Sequence, residues 1–171
     1  MWQFTKKKNK KMNKNLKNLL NNYPKLVIIK NDINNAFNLL VELFSKNGTL
    51  FVAGNGGSAA DAEHIVGELM KSFVLPRRVS DELKKEFSDS YGDEGKKLAD
   101  KLEMGFKAIS LNGHPALSSA FLNDVDGTMT FAQQLFILGN SEDVMLGIST
   151  SGNAENVAKA LKVAKIKGFK L

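Results

Sequence analysis

The 171-residue chain contains no cysteine, which excludes a disulfide framework and a thiolate-ligated zinc centre. It has only two histidines, His64 and His114. No run approaches the roughly 18 apolar residues of a membrane span. The basic N-terminus is not followed by the apolar core and cleavage site of a secretory leader. The expectation is a soluble cytoplasmic protein with no membrane partner. Acidic residues are missing from the first thirty positions, which hold nine lysines. The rest of the chain carries 15 basic against 18 acidic residues, so the formal charge of +6 resides in the N-terminal arm. A lysine- and asparagine-rich arm without arginine reads as a solvated terminus, and nucleic acid is not expected as a partner. At 43% hydrophobic and 25% charged residues, the composition is that of one globular domain. The expected division is a disordered segment over 1–11 and a single domain over 12–171.

The most informative stretch is TLFVAGNGGSAADAEHIVGEL, Thr49 to Leu69. Leu50 to Ala53 is the short apolar run of a strand buried on both faces. Gly54-Asn55-Gly56-Gly57 turns, Ser58 suits an N-cap, and Ala59 onward reads as helix. A strand that feeds a helix N-terminus through a glycine turn is an anion-binding device. On that helix His64 and Glu68 are four residues apart and share a face. Such a pair is either a solvated i,i+4 contact or a metal-holding, proton-handling site, and the adjacent anion turn favours the second. Asp61 and Glu63 read as solvated first-turn acids.

Around this stretch the pattern alternates. Helices are expected from Met12 to Tyr23 and over 25–47, the second with Val27, Ile28, Phe37, Leu40, Val41 and Phe44 as its apolar face. Residues 76–105 read as an exposed helical insert broken near Gly92 and Gly95. KAISL (107–111) is a second strand, followed by a turn at Asn112 to Pro115. Asn123 to Gly127 is read as a polar turn, and Thr130 to Leu138 as helix. Val144 to Ile148 is a third buried strand, followed by Ser149-Thr150-Ser151-Gly152-Asn153 and a helix from Ala154. Its hydroxyls and helix N-terminus suit the oxygens of a phosphate monoester. Phe169 begins a fourth strand. Strand–helix alternation predicts an α/β fold, a parallel sheet with helices on both faces. The turns at 54–58, 112–114 and 149–153 then share the ligand-binding edge, where the His64/Glu68 pair and Asn123-Asp124 are expected to converge with them.

GNGGSAADAEHIVGEL and GISTSGNAENV together resemble the sugar isomerase (SIS) domain family, and within it the phosphoheptose isomerases. The resemblance runs from about residue 12 to the end, outside the insert. It implies a flavodoxin-like sheet and a homotetramer with active sites between subunits. It also implies isomerisation of sedoheptulose 7-phosphate to D-glycero-D-manno-heptose 7-phosphate, for nucleotide-activated heptose in surface polysaccharide. By the same resemblance, Ser149, Thr150 and Ser151 hold the phosphate. Asn55, Gly56, Gly57, Ser58, Asn123, Asp124 and Asn153 contact the substrate. His64 and Glu68 bind zinc, with Glu68 also the general base. Two departures stand out. Ala154 replaces a further hydroxyl of the phosphate loop. The glutamine and second zinc-binding histidine that the family places on a helix near its C-terminus have no counterpart within these 171 residues, so the site is expected to be incomplete and the chain truncated. His114 matches no position of the family's motif.

Two other readings compete. Gly54, Gly56 and Ala59 fit the dinucleotide pattern G-x-G-x-x-G/A, but the second strand ends in Leu111-Asn112-Gly113 without the ribose-binding acid. A non-catalytic relative that binds a sugar phosphate, or a partner such as a replication initiator protein, has no chemical need for Glu68.

Overall fold

The computed structural model describes residues 14–170. The segment expected to be disordered, 1–11, and the start of the first helix lie outside them. Three strands form one parallel sheet in the order β2-β1-β3, where β1 is Leu50–Gly54, β2 Ala108–Ser110 and β3 Val144–Ile148. Every residue of β1 is buried, as its uninterrupted apolar run requires for a central strand. Beyond β3, the fourth strand expected from Phe169 is represented by a single parallel bridge, Lys170 to Val144.

Two apolar layers enclose the sheet. On one face Leu50, Val52 and Ala62 pack with Leu43, and Leu39, Leu40 and Phe44 join them. These side chains come from the sheet, from α2 (Lys30–Ser45) and from α3 (Gly57–Met70). On the other face Phe51, Phe131, Leu135, Val157, Ala160 and Phe169 form the second layer. It is supplied by α6 (Thr130–Leu138) and α7 (Glu155–Ile166). The chain passes from β1 to β2 on one side, then crosses to β3 on the other. The strand order therefore reverses between β1 and β3. The helices that follow these two strands lie on opposite faces, which leaves a crevice between them at the carboxyl edge.

The remaining helices are α1 (Lys14–Asn22), α4 (Asp81–Lys101) and α5 (Pro115–Asp124). Ser80 caps α4, accepting a hydrogen bond from the Leu83 N–H. Gly92 (φ 55°, ψ −133°) bends α4 back on itself, and Arg78 and Glu103 pair antiparallel where its two ends meet. The result is a helical hairpin outside the sheet.

Four sequence expectations are corrected. The helix read over 25–47 is split: Pro24–Ile29 is a 3-10 segment, and α2 starts at Lys30. Pro24 pre-sets its first turn, and the β-branched run Val27-Ile28-Ile29 disfavours a continuous α-helix. Val27 and Ile28 are 56% and 90% exposed, so they are not part of the buried face. Asn123 and Asp124 do not sit in a turn but close α5, which Pro115 initiates at its first position. Ser58 is not the N-cap of α3: Gly56 is, and Ser58 is buried in the first turn. The backbone of Gly56 (φ 57°, ψ −121°) is open to glycine alone, and it starts the helix two residues early. Asp61 and Glu63 consequently lie past the first turn, exposed.

Helix α7 is anchored at its N-terminal end. Lys159 binds Asp126 at 3.1 Å and Glu155 at 3.0 Å, and Asp126 also accepts from the Thr128 hydroxyl and N–H at 2.6 and 2.8 Å. These hydrogen bonds, Thr128's first and then Lys159's, hold the Asp126 carboxyl at about 2, below its ordinary 3.8. A depressed carboxylate adds stability that is complete above its unfolded value and is lost as pH falls through the folded one. Wild type and Asp126→Asn should therefore differ in unfolding midpoint most fully above about pH 4, with the difference shrinking towards about pH 2 and gone below it. Parallel curves across that window would refute the assignment.

Candidate active site

The turns after β1 and β3 lie side by side, because Gly54 is in register with Ile148. The first is tight: a Cβ on Gly54 would stand 2.4 Å from the Ser58 carbonyl oxygen. The N–H groups of Ser58 and Ala59 bond back to Asn55 and Gly56 at 3.0 Å, which aims the start of α3 at the crevice. The second turn is open. Thr150, Ser151 and Asn153 are exposed, Ser149 is half-buried, and the Ser151 hydroxyl accepts from the Asn153 N–H at 3.2 Å. Helices α3 and α7 both direct their positive dipole ends here, from opposite faces of the sheet.

Two asparagines that the sequence did not single out for this site brace it. Asn112, just past β2, donates to the Gly54 carbonyl at 2.7 Å and accepts from the Gly54 N–H at 3.4 Å. Asn156 exchanges amide hydrogen bonds with Asn55 at 2.9 Å in both directions, so the two turns are tied directly together. The Asn156 oxygen also accepts from the Val157 N–H at 3.0 Å. That bond replaces the one an N-cap hydroxyl would make, since the cap of α7 is Ala154. Neither partnership leaves a local sequence signal beyond asparagine next to a turn. Because Asn156 already satisfies the Val157 N–H, Ala154→Ser should change stability by less than about 0.5 kcal/mol. A urea midpoint raised by the full ~1 kcal/mol of a new cap would mean that the Asn156 bond does not replace it.

His64 and Glu68 do share a face of α3, with Nε2 and Oε1 3.8 Å apart. That face is not turned to the sheet. Ser58 and Ala62 are buried, whereas the His64 side chain is 78% exposed on the opposite side of the helix. Glu68 is 30% exposed and binds the Lys71 ammonium at 2.8 Å through Oε1. Its other oxygen, Oε2, is buried and has no hydrogen-bond partner. Within one chain, the pair and the turns therefore do not converge as expected. Asn123 and Asp124, exposed at the end of α5, bond to each other at 2.7 Å.

A carboxylate with one oxygen, Oε2, buried and unpartnered and the other, Oε1, 3.8 Å from an imidazole fits a cation. The pair offers two of the four ligands of a tetrahedral zinc. Among the described residues no group of three histidine, aspartate or glutamate side chains is placed to hold a metal. Further ligands would have to come from outside the described residues of one chain.

No family model matches the chain. It is 37% identical over 132 residues to a phosphoheptose isomerase of Helicobacter pylori, an alignment covering 77% of this chain and 55% of that protein. It is 38% identical over 138 residues to phosphoheptose isomerase 1 of Campylobacter jejuni, covering 81% and 60%. The chain thus spans little more than half the length of these curated relatives. The structure of the phosphoheptose isomerase GmhA from Neisseria gonorrhoeae superposes with a TM-score of 0.62 at 26% identity, covering 91% of this chain and 64% of that one. A phosphoheptose isomerase from Francisella tularensis shares the fold, with a TM-score of 0.62 at 24% identity. In sequence and in fold, the chain resembles the phosphoheptose isomerases over the part of their length that it spans.

Proposed function

We propose, from this kinship with the phosphoheptose isomerases, that the chain carries the phosphate cradle and the acid–base helix of an enzyme that converts sedoheptulose 7-phosphate to D-glycero-D-manno-heptose 7-phosphate. The product would feed nucleotide-activated heptose and surface polysaccharide. The observation that carries the reading is the pairing of two anion-type turns, tied by Asn55 and Asn156, with a helix that bears an unpartnered carboxylate oxygen on Glu68.

The residues divide the work. Ser149, Thr150, Ser151 and Asn153 hold the phosphate with the dipoles of α3 and α7 behind them. Asn55, Gly56, Gly57 and Ser58 line the sugar's path from the first turn, and Asn123 and Asp124 contribute from α5. A ketose–aldose interconversion moves one proton between adjacent carbons through an enediol. Glu68 takes the proton from one carbon and returns it to the other. His64 and Glu68 would hold zinc, which when bound steadies negative charge on the sugar oxygens. His64 faces away from its own sheet, so the site would form between subunits of a homotetramer. Exposed apolar side chains at Tyr23, Val27, Ile28 and Phe37 in the N-terminal elements suit such an interface. A cytoplasmic location fits the sugar-phosphate substrate.

The outward turn of His64 also favours a second reading, a sugar-phosphate binder without chemistry. The discriminating experiment is to incubate the purified 171-residue chain with sedoheptulose 7-phosphate and zinc. Turnover supports the isomerase. Saturable binding without turnover supports the binder. Neither binding nor turnover, from a folded chain, rejects both.

A further inference from the structure

The base of the α4 hairpin is fastened to the helix that carries Glu68, and one arginine makes most of the side-chain contacts there. Helix α3 ends without a glycine cap: Lys71 follows it in extended conformation, and the last turn's carbonyls need donors from elsewhere. Arg77 supplies them. Its Nη2 donates to the carbonyl of Leu69 at 2.9 Å and of Glu68 at 3.3 Å, and also to that of Lys71. The guanidinium lies 4.8 Å over the ring of Phe106, which stacks on Phe44 of α2 at 4.4 Å. The backbone around Arg77 is locked as well. Its N–H donates to the Ser72 hydroxyl and its carbonyl accepts from the Met104 N–H, both at 2.7 Å. The Ser72 N–H donates to Glu103 at 2.7 Å, and the Phe106 N–H to the Leu69 carbonyl at 2.9 Å.

We infer that Arg77 is a positioning residue for Glu68. The inference rests on the reading of Glu68 as the working carboxylate. Glu68 Oε2 makes no hydrogen bond of its own. The Glu68 carboxylate is held through Oε1 by Lys71, and Arg77 holds the backbone carbonyls of both Glu68 and Lys71. The planar guanidinium makes these contacts while lying over the Phe106 ring, a stacked geometry that a tetrahedral lysine ammonium does not reproduce. The hairpin is therefore not a passive elaboration: its base determines where the carboxylate points.

The test uses the whole chain and Arg77→Lys, which keeps the charge. Hydrogen exchange at the amides of Leu69, Met70 and Lys71 should quicken by about tenfold, with those of Asp61 to Ile65 unchanged. Zinc affinity, titrated directly, should fall by about tenfold in Arg77→Lys, but by less than about twofold when Glu68→Gln is already present. Loss of that dependence on Glu68 would reduce Arg77 to a general stabilising contact. Unchanged exchange at the end of α3, or equal quickening along the whole helix, would overturn the inference. If the parent chain binds no zinc, the metal reading fails, and the exchange pattern alone decides for or against Arg77.

Discussion

Glu68→Gln should slow sedoheptulose 7-phosphate isomerisation by about 10²–10⁴-fold while leaving substrate affinity within about threefold of the parent. Glutamine keeps the size of the side chain and one acceptor oxygen, so the end of α3 has no reason to move. What disappears is the ability to carry a proton, together with the charge that pairs with Lys71 and would hold zinc. The phosphate is held by a different part of the molecule, the turn at 149–153, so binding and chemistry separate in this variant. Steady-state rates, together with wash-in of solvent deuterium into the sugar, measure the two effects. A variant that still exchanges deuterium at the parent rate would assign the proton transfer elsewhere. A variant that loses affinity instead would make Glu68 a binding group.

The second large effect is expected at Gly54. In Gly54→Ala the new methyl would stand 2.4 Å from the Ser58 carbonyl oxygen and 2.6 Å from its carbonyl carbon. Both are backbone atoms, and neither can rotate away. Either α3 slides off the sheet or the turn opens, and both break the clamp that Asn112 places on Gly54. We expect a loss of about 1–3 kcal/mol in stability. Affinity for sugar phosphate should fall by at least about tenfold, because the first anion turn is no longer aimed at the crevice. Gly67→Ala provides the contrast. A Cβ there meets nothing within 4 Å, so this helix-interior glycine should tolerate alanine and gain about 0.5–1 kcal/mol. Denaturant midpoints and phosphate-competition binding on the two variants settle the point. Equal behaviour would mean that the close approach at Gly54 plays no part.

What the sequence made legible was what local pattern encodes. The continuous apolar run at 50–53 is the central strand, buried throughout; the run at 144–148, read as equally buried, pairs with it from the edge of the three strands and leaves Leu146 exposed. The turns behind them stood out by glycine and hydroxyl content, and the register of β1 with β3 brings them side by side. Misreadings arose where one local signal outweighed another. Asn123-Asp124-Val125-Asp126-Gly127 looks like a turn, yet Pro115 at a helix start carries α5 through to Asp124. Ser58 looked like a cap, because the rare backbone angles of Gly56 leave no trace in the residue pattern. The bracing contacts are non-local: Asn112 with Gly54, Asn55 with Asn156, and Arg77 with the end of α3 each join segments that only folding brings together. The direction of His64 was open to inference, since Ala62 and Ile65 mark the sheet side of α3, but shared spacing with Glu68 drew attention to the pair alone.

The antiparallel pairing of Arg78 with Glu103 has an evolutionary corollary. Where the two ends of an excursion already touch, its length can drift without altering the sheet's register, because the closure entropy beyond such a neck changes slowly with size. The region between Ser80 and Leu102 is thus open to growth, shrinkage or exchange for foreign sequence, and the neck beneath it is not. That makes the tip near Gly92 a natural graft point for a reporter, whose signal would ride on the same stem that steadies the reactive helix.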